Sequence, residues 1–261
     1  MIRLKKDKLY IKVFGTREEM GEAAALDAAA FLNGLLSRKA EINVVFAAAP
    51  SQNDVLSFLS RMDIPWGRIN AYHMDEYVGL DRNDPRSFGH YLDEHIFKKV
   101  PFKSVHYIAE CGRSAEELCS DYAKLLEGIR IDAVFMGVGE NGHIAFNDPQ
   151  FARFDDPEKV KIVQLDEVCR MQQVHDGCFP ALEDVPTHAI TLTIPTLMSA
   201  GRLFNIVPTA YKAEAVRNIV DGDITEECPA SICRLHHDVT LYLDKDSAKF
   251  IISGDERKRL T

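Results

Sequence analysis

The chain has 261 residues, enough to bury a large core within one domain, and its 46% hydrophobic and 27% charged content is ordinary for a folded globular protein. No stretch approaches the ~18 to 20 consecutive apolar residues that a membrane helix requires, which argues against a membrane-embedded protein. Forty acidic against 31 basic residues, a formal charge of −9, argue against a broad surface for nucleic-acid phosphates, so an anionic ligand would need a local positive site.

The N-terminal Met1-Ile2-Arg3-Leu4-Lys5-Lys6 carries charge with no apolar segment behind it, which does not read as a secretory leader and points to the cytoplasm. Thr16-Arg17-Glu18-Glu19 has capping-box spacing and opens an Ala-rich helix over residues 20–36. The short β-branched run 42–47 predicts a buried strand, followed by turn residues from Pro50 and a helix over 54–61. The alternation continues with a strand at 68–72, a helix at 87–97, a strand at 105–108 and a helix at 114–126. Residues 131–138 are apolar on both faces apart from Asp132, as expected of a central strand covered from both sides. Further strands are predicted at 189–193, 203–207 and 239–243, with a helix between Thr209 and Gly222. This order predicts one Rossmann-like α/β domain over residues 1–261, with a mainly parallel sheet and helices on both faces. The six cysteines, Cys111, Cys119, Cys169, Cys178, Cys228 and Cys233, form no C-x-x-C pair and read as reduced thiols.

In such a sheet, ligands bind beyond the carboxyl ends of the strands. Three strand-exit loops are rich in polar residues: Ser51, Gln52 and Asn53; His73, Asp75 and Glu76; and Glu140, Asn141, His143 and Asp148. Gly137, Gly139 and Gly142 satisfy G-x-G-x-x-G, but Ile144-Ala145-Phe146-Asn147-Asp148-Pro149 is a poor helix start, so a dinucleotide site is rejected. The glycines instead allow backbone to approach a ligand closely with His143 pointing inward. An imidazole five residues before Asp148 can be oriented by that carboxylate to move protons near neutral pH, although a turn capped by Asn141 and Asn147 accounts for the same spacing. Of the adjacent Asp75 and Glu76, an extended chain lets only one face the cleft, and the other needs a structural partner. His236 and His237 are adjacent, and His143 and Asp148 lack a second histidine at ligand spacing, so neither metal nor cofactor is expected.

Two segments carry a resemblance. Met74-Asp75-Glu76-Tyr77-Val78-Gly79-Leu80 and Gly137-Val138-Gly139-Glu140-Asn141-Gly142-His143-Ile144-Ala145-Phe146-Asn147-Asp148-Pro149 resemble, in order and separation, the two signatures of the glucosamine-6-phosphate deaminase (isomerase) family. Similarity extends to Val185 through Leu192, to the helix bearing Lys212 and to Cys228-Pro229-Ala230-Ser231. The resemblance implies an enzyme that isomerises and deaminates an amino-sugar 6-phosphate. It makes Asp75 the base for proton transfer between C1 and C2, and His143 the group assisting ring opening, oriented by Asn141 and Asp148. It places the phosphate on Lys212, with Ser51, Gln52, Asn53, Glu76 and Arg170 as further substrate contacts.

Three departures stand out. Ala47 through Asn53 replaces the family's Gly- and Thr-rich phosphate loop, Asp148 stands where glutamate is common, and Arg170 is only the nearest candidate for the family's phosphate arginine. The alternatives are a 6-phosphogluconolactonase-type hydrolase, in which His143 activates water, and a sugar-phosphate-binding regulator without catalysis. The expected partner is a small sugar phosphate, with no nucleic acid and no membrane, and assembly into a homo-oligomer is left open.

Overall fold

The computed structural model describes residues 1–108, 112–175 and 177–255, and Cys111 therefore lies outside the described residues. Its main sheet has eight strands: β1 (Ile2–Lys6), β2 (Leu9–Phe14), β3 (Ile42–Phe46), β4 (Ile69–His73), β6 (Ser104–His106), β7 (Ala133–Met136), β10 (Arg202–Val207) and β11 (Val239–Asp244). They run in the order β1-β2-β11-β10-β7-β3-β4-β6, and every pairing is parallel except the β1–β2 hairpin at the edge. From β3 the chain builds outward through β4 to β6. From β7 it builds the opposite way through β10 to β11. The neighbours β3 and β7 therefore form the point where strand order reverses, and a crevice opens there at the carboxyl ends.

The central strands are held in register by aromatic rings. Phe46, Phe135 and Phe204 stack across β3, β7 and β10 with centroids 5.2 and 4.9 Å apart, and Tyr242 of β11 extends the row at 6.4 Å from Phe204. Side chains on alternate residues of paired parallel strands share a face, so one register produces the whole row. Asp132, the one polar residue before β7, is buried but satisfied by Lys39 and by the backbone N–H of Asn43 at 3.0 Å.

Helix α1 (Arg17–Leu36) begins at a formed capping box between Thr16 and Glu19 and buries an alanine-rich face. Its Gly21 packs on α2 (Asn53–Leu59) so closely that a Cβ there would lie 2.4 Å from the Asp54 Cβ. Helices α3 (Phe88–Leu92), continued by a π turn over Asp93–Phe97, and α4 (Ala115–Glu127) follow, and α5 (Glu167–His175), α6 (Ile194–Met198) and α7 (Ala213–Asp221) come later in the chain. A second, antiparallel sheet of β5 (Asp75–Tyr77), β9 (His188–Leu192) and β8 (Val160–Gln164) carries Asp75 opposite Thr191.

The predicted α/β architecture and its principal strands are present. The sequence reading omitted the β1–β2 hairpin, β5, β8, α5 and α6, and it extended the strand at 131–138 beyond the observed 133–136. No described helix is long and apolar enough to cross a membrane. No disulfide joins the five described cysteines.

Candidate active site

A cavity of about 110 Å³ lies at the β3/β7 reversal point, lined by the loops that leave β3, β4, β7 and β10 and by residues of α1, α3 and α5. It brings together Ser51, Asp75, His143 and Lys212 from the predicted set. No helix follows β7; the next regular element is β8, as expected if the glycine loop is not a dinucleotide fingerprint.

Glycine is required in that loop for a steric reason. A Cβ on Gly139 would fall 2.2 Å from the His143 ring, so the imidazole lies directly against backbone that no side chain could share. Gly142, with φ +87°, occupies left-handed space and abuts Cys228. The His143 Nδ1 lies 2.9 Å from Asp148 Oδ1 and 2.8 Å from Asn141 Oδ1, while the Asn141 amide donates to Asp148 at 2.9 Å. Burial pushes the Asp148 carboxyl up, yet the neighbouring imidazole and the hydrogen bonds from His143, Asn141 and Cys169 hold it below the usual aspartate value. Asn141 and Asp148 thus stand behind His143 and orient it.

Cys169 of α5 joins this group from later in the chain. Burial, followed by the charge of Asp148, pushes its thiol pKa up, so it remains protonated and can donate to that carboxylate. The ligand atoms of His143, Asp148 and Cys169 all lie within 4.8 Å of one another, a donor set that could hold a cation and that histidine spacing alone does not reveal.

Asp75 faces the cleft from β5 and is almost wholly buried. Desolvation, with the Glu76 carboxylate beside it, pushes its pKa well above the ordinary aspartate value. Glu76 points to the other side, as alternation along a strand requires. Its carboxylate accepts the backbone N–H groups of Tyr77, Phe88 and Gly89 at 2.9, 3.0 and 2.8 Å and so closes the start of α3. Burial raises Glu76 to about 7, opposed by those three bonds. It does not line the cavity and serves as the structural member of the pair. His73 at the end of β4 is likewise internal: burial lowers its pKa to about 4, and its Nε2 accepts the Ile108 N–H at 2.8 Å.

Other sequence candidates lie behind the wall. The Gln52 amide donates to Ser51 Oγ at 3.0 Å from a fully buried position. Asn53 Oδ1 is bridged by the Tyr91 hydroxyl to the Ala49 carbonyl. Arg170 does not reach the cavity, because its guanidinium donates to the carbonyls of Leu182 at 2.7 Å and of Val185 at 2.9 Å. In its place α5 presents Gln172, whose Oε1 accepts the Glu140 N–H at 3.0 Å, and Gln173, a nearly buried amide with no side-chain hydrogen bond among the described residues. Arg17 and Thr209 also line the cavity. None of these four was selected from the sequence. Arg17 stood there only as part of a capping motif, while the Gln172-Gln173 pair in place of a cationic residue was the one visible signal.

A family model described as glucosamine-6-phosphate isomerases/6-phosphogluconolactonase matches residues 15–242. A glucosamine-6-phosphate deaminase of Bacillus cereus is 31% identical over 239 residues, covering 92% of this chain and 88% of that protein. The enzyme of the same description from Exiguobacterium sibiricum is 37% identical over 191 residues, 73% of each chain. Among solved structures, a monomeric glucosamine-6-phosphate deaminase superposes with a TM-score of 0.83 at 28% identity, covering 92% of this chain and 98% of that one. A 6-phosphogluconolactonase from Thermotoga maritima shares the fold, with a TM-score of 0.74 at 19% identity over 91% of this chain and 100% of that one. The strand-end cleft, the glycine loop and these matches agree, and the chain belongs to the glucosamine-6-phosphate isomerase/6-phosphogluconolactonase family.

Proposed function

We propose that the protein is a cytoplasmic enzyme, acting as a single domain across the chain, that converts an amino-sugar 6-phosphate into a ketose 6-phosphate and ammonia. The observation that carries this reading is the pairing of two proton-handling groups on one cleft. Asp75 is a buried carboxyl of raised pKa, and His143 is an imidazole whose Nδ1 is committed to Asn141 and Asp148. With Nδ1 occupied, Nε2 is left for the substrate, at the position where a proton must move between the ring oxygen and the C1 hydroxyl when the hemiacetal opens.

Asp75, in its ionised form, then takes the C2 hydrogen as a proton and returns it to C1. The electron pair passes through an enolamine, leaving a C2 iminium that water hydrolyses to the ketone with release of ammonia. A buried carboxyl suits this step because the same oxygen must both accept and give back a proton. Lys212, the nearly buried lysine at the start of α7, supplies positive charge for the phosphate.

The test is a panel of hexosamine 6-phosphates and 6-phosphogluconolactone, assayed for ammonia, ketose phosphate and acid release. Ammonia and ketose phosphate in equal amounts are expected. Lactone hydrolysis without ammonia would replace this reading with the lactonase one, and binding without any turnover would leave only a sugar-phosphate sensor.

A further inference from the structure

The first residue of α1 reaches the cleft by a built route. Gly21 permits α1 to lie against α2 at a separation that any Cβ would prevent, and this sets Arg17 over the turn Pro50–Gln52. There the Arg17 guanidinium is bracketed: Nε donates to the Asp54 carboxylate and Nη2 to the Pro50 carbonyl. A planar guanidinium fixed along one edge keeps its other edge, with Nη1, in a set direction, and that nitrogen has no protein acceptor among the described residues. Arg17 lines the same cavity as Ser51 and Lys212, and its side chain remains 34% exposed.

The α5 lining of the cavity is neutral. Helix α5 presents the amides of Gln172 and Gln173, and its arginine, Arg170, is spent on the carbonyls of Leu182 and Val185. A second cation strengthens the hold on a phosphate dianion in an otherwise acidic protein, and bidentate guanidinium contacts are among the strongest available. We propose that Arg17, delivered from α1, is the second phosphate-binding cation of this cleft and acts together with Lys212 on the 6-phosphate of the substrate. The proposal rests on the reading of the cleft as a sugar-phosphate site. It takes the cation from α1, and not from α5, which carries Arg170.

The experiment is calorimetric titration of the full chain with inorganic phosphate, with 2-amino-2-deoxyglucitol 6-phosphate and with its unphosphorylated counterpart, for the wild type, Arg17→Ala, Arg17→Gln and Arg17→Lys. The glutamine variant can still donate toward Pro50 and Asp54, so it removes charge while sparing the turn. Arg17→Ala and Arg17→Gln are expected to weaken the phosphorylated ligand by about 10- to 100-fold and to flatten its dependence on salt, with Arg17→Lys recovering part of the loss. The unphosphorylated ligand should be unaffected. If Arg17→Gln binds the phosphorylated ligand within twofold of wild type, Arg17 only braces the 50–52 turn and the proposal fails. Equal losses for both sugar ligands, with a lowered Tm, mean collapse of that turn and also overturn it. If wild type binds inorganic phosphate through Arg17 but the sugar phosphate no better, Arg17 stands and the amino-sugar reading falls. If wild type binds neither phosphate ligand, the assignment is overturned.

Discussion

Asp148 and His143 meet at 2.9 Å between Oδ1 and Nδ1, and this contact decides what the imidazole offers to a substrate. A carboxylate on Nδ1 favours the proton on that nitrogen, leaving the Nε2 lone pair for the cleft. Asn141 reinforces the arrangement by bonding both partners, donating to Asp148 and approaching His143 Nδ1 through its Oδ1. The Cys169 thiol lies within 4.8 Å of the same carboxylate.

Asp148→Asn should therefore reduce kcat by about 10²- to 10⁴-fold with a smaller change in KM, because it removes the orienting charge while keeping shape. The lowered Asp148 pKa gives the sign of its pH effect. Its contribution to stability is complete above the ordinary aspartate range and is lost as pH falls through the lowered folded value. The wild type and Asp148→Asn should thus differ in Tm at neutral pH and converge in strong acid. A variant with wild-type kcat would remove Asp148 from the relay.

Asp75→Asn should lose turnover by about 10²- to 10⁴-fold while becoming more stable. Burial and Glu76 raise the Asp75 pKa, so the folded state prefers the neutral acid. Its stability is complete below the ordinary aspartate value and declines as pH rises through the raised folded one. A neutral amide avoids that decline, and each kcal/mol recovered is worth roughly 2 to 4 °C in a chain of this size. The Tm difference between variant and wild type should grow from pH 4 to pH 8. An unchanged difference across that range would mean that Asp75 is not a strained buried carboxylate.

The parity of Asp75 and Glu76 shows how much was legible beforehand. Alternation along an extended chain indicated that one would face the cleft and the other a structural partner, although Glu76 was also carried forward as a substrate contact on resemblance. The strands β3, β7, β10 and β11 announced themselves by mainly apolar runs buried on both faces. The three-residue β5 is too short for any periodicity, and its pairing is decided by β9, more than a hundred residues away. Edge strand β1, with Arg3 and Lys5 exposed, has no apolar run to signal it. Arg17 reaches the site through the packing of α1 on α2, which no local motif encodes, and Cys169 reaches it on α5, from later in the chain than His143 and Asp148.

Glu76→Gln tests the structural half of the pair. The carboxylate closes three buried backbone N–H groups, and an amide turned to serve two of them sets its NH₂ against the third. Loss of one such acceptor should cost about 1 to 3 kcal/mol. Because Glu76 is raised to about 7 from an ordinary 4.5, its favourable contribution is full below 4.5 and is lost as pH rises through about 7. The deficit of the variant should be largest in mild acid and shrink above neutrality, as denaturant melts at several pH values would show. A fall in kcat as deep as that of Asp75→Asn, without loss of stability, would place Glu76 in the chemistry.

Thr209 holds the most strained backbone along the cleft, with φ +79° and ψ 151°, a region ordinarily occupied by glycine. It lies between Pro208 and the turn Ala210–Lys212, and its carbonyl accepts the Lys212 N–H at 3.2 Å. Its own N–H donates at 2.9 Å to Asp244, the carboxylate that ends β11 and also accepts the N–H groups of Asp246 and Ser247. Asp244 therefore anchors the strained residue, and the strain aims the turn that carries Lys212 into the cavity. Such a conformation costs of order 1 to 3 kcal/mol in the folded state, while a glycine adds roughly 0.4 to 1 kcal/mol of unfolded-state entropy. Thr209→Gly should accordingly raise stability by about 0.5 to 2 kcal/mol in denaturant melts. It should also raise KM for the phosphorylated substrate, because a freely rotating residue no longer fixes the direction of the Lys212 turn and the Thr209 wall of the cavity is lost. Stability and substrate affinity are thus expected to move in opposite directions, as they do where strain is kept for positioning. A less stable Thr209→Gly protein would show that threonine sits comfortably there, and the link between this backbone and the placement of Lys212 would have to be given up.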